Sequence, residues 1–250
     1  MLLVAGLALS RSRKAEYMLC SHNRKFIYIK TKKTASTSVE VMLEPFCLDS
    51  PRPAQEHGDM VVNSSGIIGY RGRNWKGKPF YNHMPAADIL AQLGGEIFWS
   101  YKKLCVVRNP FDKAVSMFWF LLSQQDRQAL LSAPLDVVRS AFCQFIRSEH
   151  TKFDQSDRNN CCDWYIYTID DKVVVDVVLR YETLASDLEV FFSSLGVQFD
   201  SGNMSLYKSG FRVRREHFTE YYDAEALAIA EHLFRKEIKH FNYAFQDIRT

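Results

Sequence analysis

Two short segments combine residue types that suit binding of a phosphate-like anion. Residues 32–38 read Lys-Lys-Thr-Ala-Ser-Thr-Ser. Lys33 brings a positive charge, Thr34, Ser36, Thr37 and Ser38 bring four hydroxyl groups, and the small side chain of Ala35 lets an anion approach the backbone. Residues 108–116 read Arg-Asn-Pro-Phe-Asp-Lys-Ala-Val-Ser. A guanidinium pairs bidentately with phosphate oxygens, so Arg108 and Ser116 converging on one point would suit a phosphate monoester. Each segment has a second reading. Ser36 or Thr37 can serve as a helix N-cap, and Arg108 can pair with Asp112 four residues on. His83, in Tyr-Asn-His-Met-Pro between the two segments, is a candidate proton acceptor, because an imidazole titrates near neutrality.

The surrounding pattern shows how these residues would be positioned. Residues 25–30 are β-branched and aromatic and predict a strand; a polar loop follows, then a helix from Thr37 that stops before Pro45. A strand–loop–helix of this kind aims unsatisfied N–H groups and a helix dipole at an anion. Residues 104–107 predict a second buried strand, broken by Arg108-Asn109-Pro110, with a helix over 111–122. Arg108 would then leave the C-terminal edge of the sheet, where open α/β folds bind ligands, and Ser116 would sit in the second turn of the next helix. A third strand is predicted over 172–181, with helices over 84–93, 135–153, 183–195 and 223–241. Residues 48–82, rich in Pro, Gly, Ser and Asn, predict an irregular excursion. Apolar strands alternating with helices predict an α/β fold with a central parallel sheet flanked by helices: one domain over 25–250 preceded by an extension over 1–24.

The loop is not a Walker A motif, which needs G-x-x-x-x-G-K-[ST]; no glycine lies between Arg11 and Phe46. Val173-Val174-Val175-Asp176 mimics a Walker B strand, but without its partner Asp176 reads as a turn or surface residue. An ATP-dependent, kinase-like enzyme and a non-catalytic nucleotide-binding module therefore stand as alternatives.

Composition narrows the classes. The chain has 250 residues, 47% apolar and 24% charged, with a net charge of +3. That balance excludes a strongly basic nucleic-acid binder and an acidic disordered chain. The charge is uneven: the first 40 residues carry eight basic side chains against Glu16 and Glu40, a net +6, which points to a local anion site. None of the six cysteines lies in a C-x-x-C motif or at zinc-ligand spacing from a histidine, so all are expected as reduced thiols in a cytoplasmic protein with no metal. The apolar N-terminal run is far shorter than the roughly 20 residues that span a bilayer, and no integral membrane contact is expected.

Taken together, the segments resemble the P-loop-like sulfotransferases, which use 3′-phosphoadenosine 5′-phosphosulfate (PAPS) as sulfuryl donor. Lys32 to Ser38 resembles the family's 5′-phosphosulfate loop, P-K-T-G-G-T-S, with Lys32 in place of Pro and Ala35-Ser36 in place of Gly-Gly. Arg108 to Ser116 resembles its 3′-phosphate motif. Arg180-Tyr181-Glu182-Thr183-Leu184 and the ending Lys239 to Phe245 also match, so the likeness spans about residues 25–245 and lies nearest the carbohydrate-sulfating group. Since Ala and Ser resist positive φ, the loop is expected to keep ordinary backbone angles.

The resemblance implies transfer of a sulfuryl group from PAPS to an acceptor hydroxyl or amine, leaving adenosine 3′,5′-bisphosphate. In that reading Lys33 stabilises the departing phosphate and residues 34–38 hold the 5′-phosphate. Arg108 and Ser116 hold the 3′-phosphate, Tyr181 contacts the adenine, His83 is the general base, and no metal takes part. The basic residues Lys208, Arg212, Arg214 and Arg215 would close over the nucleotide or meet an anionic acceptor; a solvated turn is the other reading. The acceptor is a glycan or another small molecule, with lipid, phenol and peptide tyrosine also open; oligomeric state is likewise open.

Overall fold

A computed structural model describes residues 18–50, 58–70, 77–156, 159–199 and 211–246. In chain order the elements are β1 Met18–Ser21, β2 Phe26–Ile29, α1 Ser36–Leu43, β3 Val61–Val62, β4 Gly66–Ile68, α2 Ala86–Leu93, α3 Gly95–Ser100 and β5 Lys102–Val107. There follow α4 Pro110–Leu121, α5 Gln124–Leu131, α6 Leu135–Ser156, β6 Thr168–Ile169, β7 Lys172–Val173, β8 Val177–Arg180, α7 Leu184–Ser194 and α8 Ala224–Phe241. Contacts group them into two compact units. One comprises the described residues from 18 to 107 and from 163 to 199 and carries the sheet; the other comprises the described residues from 108 to 162 and from 211 to 246 and is helical.

The sheet unit holds six strands in the order β3-β4-β1-β2-β5-β8. β2, β5 and β8 run parallel, with Tyr28 opposite Leu104 and Leu104 opposite Val177. β1 is antiparallel to both β2 and β4, and β3 is antiparallel to β4. The expected all-parallel sheet is therefore a mixed one. The reason is local: only Ser21 to Phe26 separates β1 from β2, a hairpin connection, whereas a parallel pair needs a crossover of a dozen or more residues. β1 also lies inside the segment read as an extension, and it is wholly buried.

The segment read as irregular contributes β3 and β4. Asn63 explains the disguise: its Oδ1 accepts from the N–H groups of Ser65 and Gly66, an Asx turn that reverses the chain in four residues. A side chain at Gly66 would collide with the Cys20 carbonyl of β1, so a residue that reads as a loop former is needed inside the strand. The strand predicted over 172–181 is also divided. Asp170 and Asp171, both at positive φ, close the β6–β7 hairpin, and only Val177–Arg180 joins the main sheet. The core of this unit sets Leu19, Phe26, Tyr28, Leu104 and Val106 against Val39 and Leu43 of α1 and Leu188, Phe191 and Phe192 of α7.

The helical unit packs α4, α6 and α8 around Phe111, Phe118, Trp119, Phe142, Tyr221, Tyr222 and Phe234. Its rings meet edge to face, as Phe142 does with Tyr222 at 4.7 Å, a geometry worth about 0.5–1.5 kcal/mol per pair beyond burial. The buried hydroxyls and indole are paired: Tyr222 donates to the Phe111 carbonyl at 2.9 Å and Trp119 Nε1 to Tyr221 at 3.2 Å. Among the described residues no helix is long and apolar enough to cross a membrane.

Candidate functional site

In the sheet unit the chain passes from β2 through residues 30–35 into α1, at the C-terminal end of the parallel strands. Lys33 (φ 57°) and Ala35 (φ 55°) both take the left-handed conformation. This corrects the expectation of ordinary backbone angles: Ala35 occupies the region that glycine takes without cost, at roughly 1–2 kcal/mol for an L-residue. Neighbouring contacts hold it there. Thr31 donates its hydroxyl to the Val106 carbonyl and so accepts from Thr34 Oγ1, at 2.8 Å. Lys30 Nζ lies 2.6 Å from Glu40 Oε2 of α1 with both side chains buried. The Lys32 N–H donates to Asp163 Oδ2 at 2.9 Å, and Lys32 Nζ lies 3.6 Å from Asp163 Oδ1 and 5.0 Å from the centre of the Tyr165 ring.

These contacts assign the loop's residues different tasks. Lys30 struts β2 to α1 and Lys32 staples the loop to Asp163, and Lys33 follows them at positive φ two residues before the Ala35 N-cap. Thr34 directs its hydroxyl to Thr31, and that bond shapes the loop. Thr37 Oγ1 accepts from Lys30 at 3.4 Å. Thr34, Ser36, Thr37 and Ser38 are all buried. Neither Ser36 nor Thr37 is the cap of α1. The N-cap is Ala35, which makes no side-chain capping bond, and Ala35 O instead receives the N–H groups of Ser38 and Val39 at 2.9 and 3.2 Å.

His83 comes to this loop from 53 residues away. Its Nδ1 lies 2.9 Å from the Lys30 carbonyl oxygen. A carbonyl only accepts, so Nδ1 carries the proton and Nε2 is the basic nitrogen of the neutral ring. His83 itself takes φ 50° two residues before Pro85, the N-cap of α2. Tyr181 begins a 3₁₀ turn directly after β8 and packs against the apolar core of the sheet unit.

Asp176 does not behave as a Walker B ligand. It precedes β8 at the N-terminal end of the parallel strands, whereas the loop lies at their C-terminal end. Its carboxylate accepts from the Lys103 N–H at 2.7 Å and pairs with Lys103 Nζ at 2.8 Å.

In the helical unit Arg108 and Ser116 are both buried. Asn109 caps α4 by accepting from the Phe111 N–H at 3.0 Å, and its amide donates to the Ala244 carbonyl at 2.9 Å. Arg108 makes the carboxylate pair that the sequence allowed as its second reading: Nε and Nη2 reach Asp112 Oδ2 at 2.8 and 2.6 Å. The other oxygen, Oδ1, receives Arg212 Nη1 at 2.7 Å. One carboxylate thus orients two arginines from segments 100 residues apart. Arg214 is turned inward, to Glu216 and the carbonyls of Leu130 and Ala133; its bond lowers the Glu216 pKa. Lys208 lies outside the described residues.

Sequence reasoning missed Glu40, Asp163 and the Asp112–Arg212 contact. Asp112 alone carried a signal, its i,i+4 spacing from Arg108; the others are met only through the fold. Two of the thiols, Cys20 and Cys143, are poor nucleophiles. All six cysteines are free and buried, and burial pushes Cys20 up to about 12 and Cys143 up to about 11. Compared with protein-family profiles, curated proteins and solved structures, the chain shows no significant match to any of them.

Proposed function

We propose that this chain is a PAPS-dependent sulfotransferase acting on an acceptor hydroxyl of a carbohydrate or other small molecule. The observation that carries the reading is the start of α1. The helix begins on a left-handed Ala35 with no side-chain cap, beside Lys33, at the C-terminal end of parallel strands. The first N–H groups of a helix lack i−4 partners within it; in α1 the Ser38 N–H turns back to Ala35 O, and the start of the helix, with a cation and the helix dipole, favours a bound anion. Plain capping does not account for this arrangement, because the hydroxyls are used elsewhere or buried.

In this reading the bond between sulfur and the bridging oxygen of PAPS breaks as one forms to the acceptor oxygen. Negative charge grows on the departing 5′-phosphate, where Lys33 and the α1 N-terminus lower its energy. The acceptor proton passes to His83 Nε2, whose tautomer is fixed by the Lys30 carbonyl. Arg108 and Ser116 take the 3′-phosphate and Tyr181 the adenine; none of these roles calls for a metal.

Incubation with PAPS and a mixed pool of glycans, phenols and peptides, read by mass spectrometry, tests the reading. A sulfated product is expected. His83→Ala should lower turnover by roughly 10²–10⁴-fold with affinity for adenosine 3′,5′-bisphosphate unchanged. Unaltered turnover would remove His83 as the base, and nucleotide binding without any product would leave a binding module.

A further inference from the structure

The helical unit holds three metal-ligating side chains with no part in the proposed reaction. His150 and Asp154 lie one turn apart on α6, and His232 comes from α8. One ligand atom from each falls within 4.8 Å of the other two. His150 Nε2 and Asp154 Oδ2 are 3.6 Å apart. Two ligands of one tetrahedral zinc ion, each about 2.0–2.1 Å from the metal, sit about 3.4 Å from each other, so this pair is already spaced to chelate. The His150 and His232 rings meet edge to face with centres 5.6 Å apart. His150 is half-buried while Asp154 and His232 are exposed, so an ion can enter from solvent and water can complete its shell.

From this geometry we infer that His150, Asp154 and His232 form a binding site for a divalent transition-metal ion, zinc above all, that cross-links α6 to α8. The donor set selects the metal class. Two imidazoles and one carboxylate suit zinc and its neighbours, whereas magnesium and calcium take oxygen ligands. The site joins helices that already meet at a second point, where Arg147 of α6 pairs with Glu225 of α8 at 2.7 Å. An ion that binds the folded chain and not the unfolded one raises stability by mass action, so the expected consequence is a firmer α6–α8 contact. The inference is independent of the sulfotransferase reading. It was hidden from sequence spacing because His232 lies 78 residues beyond Asp154.

Zinc and magnesium chlorides are titrated calorimetrically into the full chain, into His232→Ala and into Asp154→Asn. Melting curves are recorded with and without zinc, and cobalt serves as a spectroscopic probe. The expected result is one zinc per chain, affinity lowered at least tenfold in each variant, and a zinc-dependent rise in melting temperature that His232→Ala loses. Cobalt should give the absorption of a nitrogen- and oxygen-ligated ion without a thiolate charge-transfer band. The inference is overturned if the full chain binds no zinc, if both variants bind it as tightly as the full chain, if magnesium binds equally well, or if the cobalt spectrum shows thiolate. Both substitutions fall at exposed positions, so a folded far-UV spectrum is expected for each; a variant that has lost it is replaced by His150→Gln under the same criteria.

Discussion

The helices of the two units begin in different ways. In the helical unit α4, α5 and α8 each start with a side chain that bonds a first-turn N–H: Asn109, Ser123 and Asp223. In the sheet unit α1, α2 and α7 start without one, at Ala35, Pro85 and Thr183. A missing cap is thus not distinctive by itself. What sets α1 apart is a left-handed alanine at the cap position, with a lysine two residues earlier. The positive groups differ in the same sense. The loop before α1 offers backbone geometry and directs Lys30 and Lys32 to carboxylates, while Asp112 of α4 orients two guanidiniums, those of Arg108 and Arg212. One region would recognise an anion chiefly through its main chain, the other through side-chain charge.

The contrast is broken most severely at Asp112. Asp112→Ala leaves Arg108 and Arg212 without their shared carboxylate in a buried place, and the expected cost is about 3–5 kcal/mol, read by urea unfolding. A loss under 1 kcal/mol would mean that the arginines do not depend on it. Next comes Lys33→Ala, expected to lower turnover by roughly 10²–10³-fold, or about 2.7–4 kcal/mol, with little change in melting temperature. An equal loss in Lys32→Ala would show that the two lysines are not divided between anion binding and stapling.

Smaller effects sharpen the comparison. Ala35→Gly relieves the left-handed strain but adds freedom to the unfolded chain. A net gain of up to about 1 kcal/mol is expected, and a loss would show that alanine is at ease there. Asp223→Ala should cost about 1 kcal/mol at neutral pH through loss of the α8 cap. The N–H of Ala226 holds the Asp223 carboxyl below the usual carboxylate range. That stabilisation is therefore present above the ordinary carboxylate pKa and is lost as pH falls through the lowered value. The wild-type and Asp223→Ala stabilities should converge in acid, which equilibrium unfolding across pH will show.

Much of the site was legible because it is local. Residues 25–43 announce strand, loop and helix through their change of period, and Arg108-Asn109-Pro110 breaks a strand through the demands of proline. The conformation of Ala35 was not legible, because propensity argues against it and the surrounding contacts, Lys30–Glu40 and Lys32–Asp163 among them, are made only in the fold. β4 was hidden by Gly66, whose lack of a side chain answers to the Cys20 carbonyl of β1. The strand expected over 172–181 was divided for a related reason: the short β6–β7 hairpin takes up part of the valine run and β8 begins only at Val177, so Asp176 lies exposed between them, in keeping with its reading as a turn or surface residue.

The central claim is that the loop before α1 takes the 5′-phosphosulfate end of the donor through Lys33 and the helix N-terminus. Calorimetric titration of the full chain with adenosine 3′,5′-bisphosphate and with ATP, each with and without magnesium, tests it most directly. Binding of the bisphosphate is expected without a requirement for magnesium, weakened by Lys33→Ala and by Arg108→Ala. Binding of ATP only with magnesium, and no binding of the bisphosphate, would contradict it.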